Sequence, residues 1–163
     1  MVFDELILAT KELNSIKNNN MNTVKKILIA IDDGPISEKV ALNGFQLGQQ
    51  LNAEIALVSI TDTSLMRNAD GVTQEEMEDT AKNELRKTQQ ALINRVFKDF
   101  KVSTFVEDGK PHEMILKVAD EWEADLIVLG THGRTGLKHL LVGSVAEKVM
   151  RHSVKPLVII PAK

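Results

Sequence analysis

Gly130-Thr-His-Gly-Arg-Thr-Gly-Leu-Lys-His-Leu-Leu-Val-Gly-Ser144 joins an apolar run, Asp125-Leu-Ile-Val-Leu129, to a helix-like one that opens at Ser144-Val-Ala-Glu147. The first run reads as a buried strand, and the second begins with a serine at the N-cap position and a glutamate three residues on, the spacing of a capping box. Gly130, Gly133, Gly136 and Gly143 between them would let the backbone take positive φ and approach a ligand where any Cβ would collide. A helix N-terminus presents unpaired amides and the positive end of a dipole, so the guest this loop suits is a phosphate. Arg134, Lys138, Lys148 and Arg151 face only Glu147 between Thr131 and His152, although the chain as a whole carries a formal charge of −3. That local inversion of sign fits a phosphate site, whereas a nucleic-acid binder needs a wider basic face.

The 163 residues allow one domain and an appendage. With no cysteine there is no disulfide, thiolate metal site or cysteine nucleophile, in keeping with a cytoplasmic address. Asp4, Glu5, Lys11 and Glu12 interrupt the apolar pattern of the N-terminus, which therefore lacks the core of a signal peptide or membrane span. Phe3, Leu6, Ile7, Thr10 and Leu13 share one helical face before Asn18-Asn-Asn20 breaks it, so residues 1–22 read as a helix and linker ahead of a domain over 23–163.

Within that domain strands and helices alternate. Val24–Ile31 is the first strand, Asp32-Asp33-Gly34-Pro35 ends it, and a helix carries the stripe Val40, Ala41, Gly44, Phe45, Leu47, Gly48 and Leu51. A second strand spans Glu54–Thr61. A polar loop over Asp62–Val72, read as a candidate lid, leads to a long helix from Thr73 to about Lys98. Val102–Val106 is the third strand, Glu107–Pro111 turns into a helix with Met114, Ile115, Val118, Ala119 and Trp122 inward, and Pro156–Ile160 closes the chain as the fifth strand. Parallel strands need crossovers of this length, so the alternation predicts a five-stranded parallel sheet with helices on both faces. Ligands of such sheets bind beyond the carboxyl ends of the strands where their order reverses, which brings Asp32 and the loop from Gly130 to one crevice.

Gly130-x2-Gly133-x9-Gly143-Ser144 after Ala124-Asp-Leu-Ile-Val-Leu129 resembles the nucleotide-binding signature of the universal stress protein family. Ile27-Leu-Ile-Ala-Ile-Asp32, Gly109-Lys-Pro111 and Lys155-Pro-Leu-Val-Ile-Ile-Pro161 support the likeness, which spans roughly residues 23–161. The resemblance implies a Rossmann-like sheet of order 3-2-1-4-5, of the adenine nucleotide alpha hydrolase type, a homodimer through the C-terminal strand, and membership of the branch that binds ATP. It implies that Gly130 and Gly133 line the ribose and phosphates, that Gly143 and Ser144 hold phosphate oxygens, that Asp32 lies at the nucleoside end and that Ile60 lies beside the adenine. Ala30, Ile31, Leu129, His132, Arg134 and Val145 complete the nucleotide-binding set it implies. The family's Asp-Gly-Ser after the first strand is here Asp32-Asp33-Gly34, so that wall differs.

Each residue also has a plainer reading. Ser144 with Glu147 explains itself as a cap, Asp32 as a cap for the helix near Pro35, and His132 as a loop histidine on the surface. His112-Glu113 starts like a zinc-protease helix, but Leu116 stands where the second histidine belongs. Magnesium accompanying a triphosphate would be held by phosphate oxygens and water. The Walker pattern is absent, and no nucleophile, base and orienting acid share a family-type spacing. The expectation is therefore a regulatory ATP-binding module with no membrane and no nucleic-acid partner. Two alternatives stand beside it, a weak ATPase using the same site and, less favoured by the residues, a phosphoacceptor domain built on Asp32-Asp33.

Overall fold

The computed structural model describes residues 23–62, 71–131 and 143–162. The expected N-terminal helix, most of the candidate lid, and His132, Gly133, Arg134, Gly136 and Lys138 lie outside those residues.

Five strands, β1 (Lys26–Ala30), β2 (Glu54–Thr61), β3 (Val102–Asp108), β4 (Leu126–Gly130) and β5 (Leu157–Ile160), form one parallel sheet of order β3-β2-β1-β4-β5. Among the described residues four α-helices connect them: α1 (Ser37–Leu51), α2 (Gln74–Leu92), α3 (Pro111–Glu121) and α4 (Ser144–His152). The sheet is a five-stranded Rossmann-like one in the expected order. Its direction of winding reverses between β1 and β4, where Ile27 pairs with Leu126 on one side and with Ile55 on the other.

Alternation of side chains across the strands assigns the two cores. Ile27, Ile29, Ile55, Leu57 and Val128 pack with Val40 and Ala41 of α1 and with Leu92 and Phe97. Leu28, Ala56, Val58, Ile127 and Leu129 face the other way, onto Ile115, Val118 and Ala119 of α3 and Ala146 and Val149 of α4. Covering both faces is why the central strands read as continuous apolar runs. The long helix expected over 73–98 is two pieces, α2 and a π-helical turn, Ile93–Phe97, that brings Phe97 into the core at 1 % exposure. Gln89 of α2 is also buried, and its amide nitrogen donates to Ser59 Oγ at 3.0 Å and to the Phe105 carbonyl at 2.9 Å, tying the helix to β2 and β3.

α1 lies unusually close to the sheet. A Cβ on Gly44 would stand 2.5 Å from Ile29 Cδ1, and one on Gly48 2.6 Å from Ile55 Cδ1. Two glycines four residues apart give one bare face of the helix, so it settles onto β1 and β2. That approach fixes where the first turn of α1 meets the end of β1.

Candidate functional site

The carboxyl ends of β1 and β4 open into a crevice of about 290 Å³, near the lower limit of roughly 300 Å³ for small-molecule sites. Ala30, Ile31 and Asp32 at the end of β1, Leu129 and Gly130 at the end of the neighbouring β4, and Ile60 at the end of β2 line it. Gly143, Ser144 and Val145 cross it at the start of α4. Nine of the twelve residues singled out from sequence thus line one cavity; His132, Gly133 and Arg134 lie outside the described residues.

Sequence reasoning missed the contribution of two helix starts. Ile36, which caps α1, Ser37 and Val40 of α1, and Pro111 and Ile115 of α3 also line the crevice, as do Val58, Asp62, Thr131 and Ala146. Of the first group the sequence places only Val40, in the apolar stripe of α1, and gives Ile36 and Ser37 no role. Position in the first turn after a strand's carboxyl end was the available signal, since such turns rim the crevice of a doubly wound sheet.

The cap expected at Ser144 is corrected, and Gly130 and Gly143 do not use the freedom to take positive φ. The glycines with positive φ among the described residues are Gly71 and Gly109, whereas Gly143 has φ −70° and ψ 158° and Gly130 is the last residue of β4. Extended backbone lets Gly143 itself be the N-cap of α4, so Ser144 is the first helical residue and no side chain caps the helix. Glu147 pairs with Arg151 at 2.9 Å instead of reaching back. The capping box is realised elsewhere, at Thr73 and Glu76, where both reciprocal bonds form. What holds Gly143 is its amide, which donates to the Thr131 carbonyl. Thr131 in turn donates its N–H to the Ile160 carbonyl at 2.9 Å and accepts from the Ala162 N–H through Oγ1 at 3.2 Å. Both ends of the glycine loop are therefore pinned to each other and to the end of β5.

Asp32 is held by its neighbours rather than capping a helix. Its Oδ1 accepts from the Gly34 N–H and from the Ser37 hydroxyl, each at 2.8 Å, while Ser37 Oγ accepts the Asp32 N–H at 3.2 Å. α1 starts at Ser37, two residues beyond Pro35, with Ile36 as a cap that makes no side-chain bond. The wall that departs from Asp-Gly-Ser thus obtains a hydroxyl from Ser37.

Chemically the crevice has two ends. Ile31, Ile36, Val40, Val58, Ile60 and Ile115 offer a slot for a flat apolar group. The first amides of α4 have no intrahelical partner and no capping side chain, so they offer donors and a positive dipole end to an anion.

Residues 23–161 match the model of the universal stress protein family. The chain belongs to that family. Universal stress protein MJ0531 of Methanocaldococcus jannaschii is 32 % identical, over 98 % of this chain and 95 % of its own length. Universal stress protein MJ0577 of the same organism is 33 % identical over 85 % of this chain and 96 % of its own. The solved structure of MJ0577 superposes with a TM-score of 0.74, covering 86 % of this chain and 98 % of that one at 27 % identity. Two solved universal stress proteins at 18 % identity share the fold: one in complex with cAMP, with a TM-score of 0.60 over 87 % of this chain and the whole of that one, and one from Archaeoglobus fulgidus in complex with dAMP, with a TM-score of 0.57 over 85 % and 98 %. No helix among the described residues of this universal stress protein is long and apolar enough to cross a membrane.

Proposed function

We propose that this universal stress protein is a cytoplasmic regulatory module that holds an adenine nucleotide, ATP foremost, in the crevice between β1 and β4. One observation carries the reading: an apolar slot and an uncapped helix N-terminus open into a single cavity, matching the two chemically unlike halves of a nucleotide. The bound cAMP and dAMP of the two distant relatives share an adenine and a phosphate, and both proteins have this fold. In the reading the base lies against Ile31 and Ile60, Asp32 faces the sugar, and the amides of Ser144 and Val145 meet the phosphates. Magnesium, where it accompanies a triphosphate, is carried by phosphate oxygens and water.

ATP at about a hundred times its dissociation constant adds about 2.7 kcal/mol to stability, which raises the melting temperature by roughly 5 to 10 °C for a domain of this size. Absence of any shift at saturating ATP refutes the reading. It includes no turnover, because a competent hydrolase needs a positioned water and base. Phosphate released through many turnovers over hours would replace it with the slow-ATPase alternative. The same proposal pairs two copies through β5, an edge strand whose Leu157, Val158 and Ile159 are incompletely covered. A monomer by light scattering at micromolar concentration removes that part.

A further inference from the structure

His112 is the second residue of α3, directly after the crevice residue Pro111. Its side chain is only 17 % exposed and its ring lies 6.0 Å from that of His152 on α4. His152 Nδ1 is 2.8 Å from the backbone carbonyl of Lys148, one turn back along α4, and the charge of Lys148 acts on His112. From α3's own end come Lys110 and Glu113, but Glu113 already pairs with Lys110 at 3.1 Å and stands 3.9 Å from His112 Nε2.

These groups set the proton affinity of His112. Burial first, then the charge of Lys148, lower its pKa from the ordinary histidine value, with His152 and Lys110 acting in the same sense and Glu113 opposing them. A folded-state value below the unfolded one means that the folded state disfavours the proton. The contribution of this seam is therefore present above the ordinary histidine value and is lost as pH falls through the folded one.

We propose that His112 is a proton-operated wedge in the seam between α3 and α4: protonated, it sets a new positive charge beside Lys148, His152 and Lys110 and weakens the joint between the two helices that wall the crevice. Pro111 and Ile115 on one side of the joint and Gly143 to Ala146 on the other are crevice residues, so loosening the seam deforms the ligand site. Lys148 and His152 lie four and eight residues beyond Ser144, about 6 and 12 Å along the helix. Direct attraction by the added charge would strengthen an anion at the helix start, so a fall in affinity on acidification reports the seam. The step from seam to ligand affinity rests on the nucleotide reading above.

The test begins without ligand. Unfolding of the full chain by urea is measured from about pH 7.5 to about pH 5.5 for the wild type and for His112→Asn. The wild type should lose stability on acidification and the variant should lose clearly less; equal losses overturn the proposal. A second readout needs no His112 variant. NMR titration of the His112 ring in the wild type should give a midpoint below the ordinary value, rising in Lys148→Met, and a midpoint unmoved by that change overturns it. ATP affinity should then fall on acidification by about fivefold more in the wild type than in His112→Asn, the low end of ordinary coupling between sites. Equal falls, or affinity rising with acid, overturn the coupling. If stability titrates as stated while ATP binds at neither pH, the wedge stands and the nucleotide reading fails.

Discussion

Replacing Gly44 by alanine tests the contact that sets α1 against the sheet. In an exposed helix interior this change stabilises by about 1 kcal/mol, because glycine has more backbone entropy to lose. Here the new Cβ would meet Ile29 Cδ1 at 2.5 Å and Cγ1 at 2.8 Å, against an ordinary carbon contact of about 3.5 to 4.0 Å. Ile29 has no exposed surface and sits in a core shared with Val40, Ala41 and Leu57, so it cannot turn aside without disturbing them. Overpacking of this kind costs about 1 to 3 kcal/mol, and subtracting the helix gain leaves a net loss of about 0 to 2 kcal/mol. The sign of Gly44→Ala alone is therefore a weak test, and its coupling to Ile29 is the strong one. Ile29→Val removes the atom at 2.5 Å, leaves the Cγ1 contact to be relieved by a small shift into the vacated space, and by itself costs about 0.5 to 1.5 kcal/mol. In the double variant the alanine methyl occupies part of the vacated space, so the pair should be more stable than the sum of the singles by at least about 1 kcal/mol. Urea unfolding followed by circular dichroism, with all four proteins analysed at a common m value, measures it. Additivity within about 0.5 kcal/mol would show that α1 does not depend on this close approach. Val40, one turn nearer the crevice on α1, also gives a functional readout: nucleotide affinity should fall in Gly44→Ala and recover in the double variant.

Ser37→Ala removes a buried hydroxyl that both donates to Asp32 Oδ1 and accepts the Asp32 N–H, so it should cost about 1 to 3 kcal/mol and weaken nucleotide binding; a urea midpoint equal to that of the wild type removes Ser37 from the account of that wall. Gly143→Asp places a carboxylate at the N-cap of α4, where φ −70° and ψ 158° suit any residue. Unliganded stability should rise by a few tenths of a kcal/mol while calorimetric ATP affinity falls, since the side chain competes for the same amides. Unchanged affinity would show that those amides do not hold the phosphates.

Much of this architecture is legible in the sequence because the central strands are covered on both faces. Ile27–Ile29, Ile55–Val58 and Leu126–Leu129 are nearly unbroken apolar runs, and the intervening stripes have helical spacing. The order of the strands came from the family signature, since periodicity carries no information about which strand lies beside which. Gly44 and Gly48 read as gaps in an apolar stripe, and their purpose emerges only when Ile29 and Ile55 are seen opposite them. The cap of α4 misled for a different reason. Ser144 and Glu147 have the spacing of Thr73 and Glu76, but a box also requires the serine to precede the first helical turn. The bond from the Gly143 amide to Thr131 fixes the extended residue one place earlier, and that long-range contact has no local signature.

Three helix starts reach the crevice, and their differences explain why an anion would choose one of them. The approach to α1 already has a carboxylate, because Asp32 accepts from the Gly34 N–H and the Ser37 hydroxyl. α3 begins with Pro111, whose nitrogen has no hydrogen, so that end has one donor fewer. α4 begins after a glycine, with no side chain to turn back on its amides. None of the three starts has a capping side chain, but a carboxylate lies close to the first, a proline removes a donor from the second, and the third follows a glycine. The third lines the same crevice as the apolar residues, its cap tied through Thr131 to the end of β5. An anion at the start of α1 would meet the charge of Asp32 at close range. The polarity of the site therefore follows from a missing side chain at residue 143 as much as from any residue that is present.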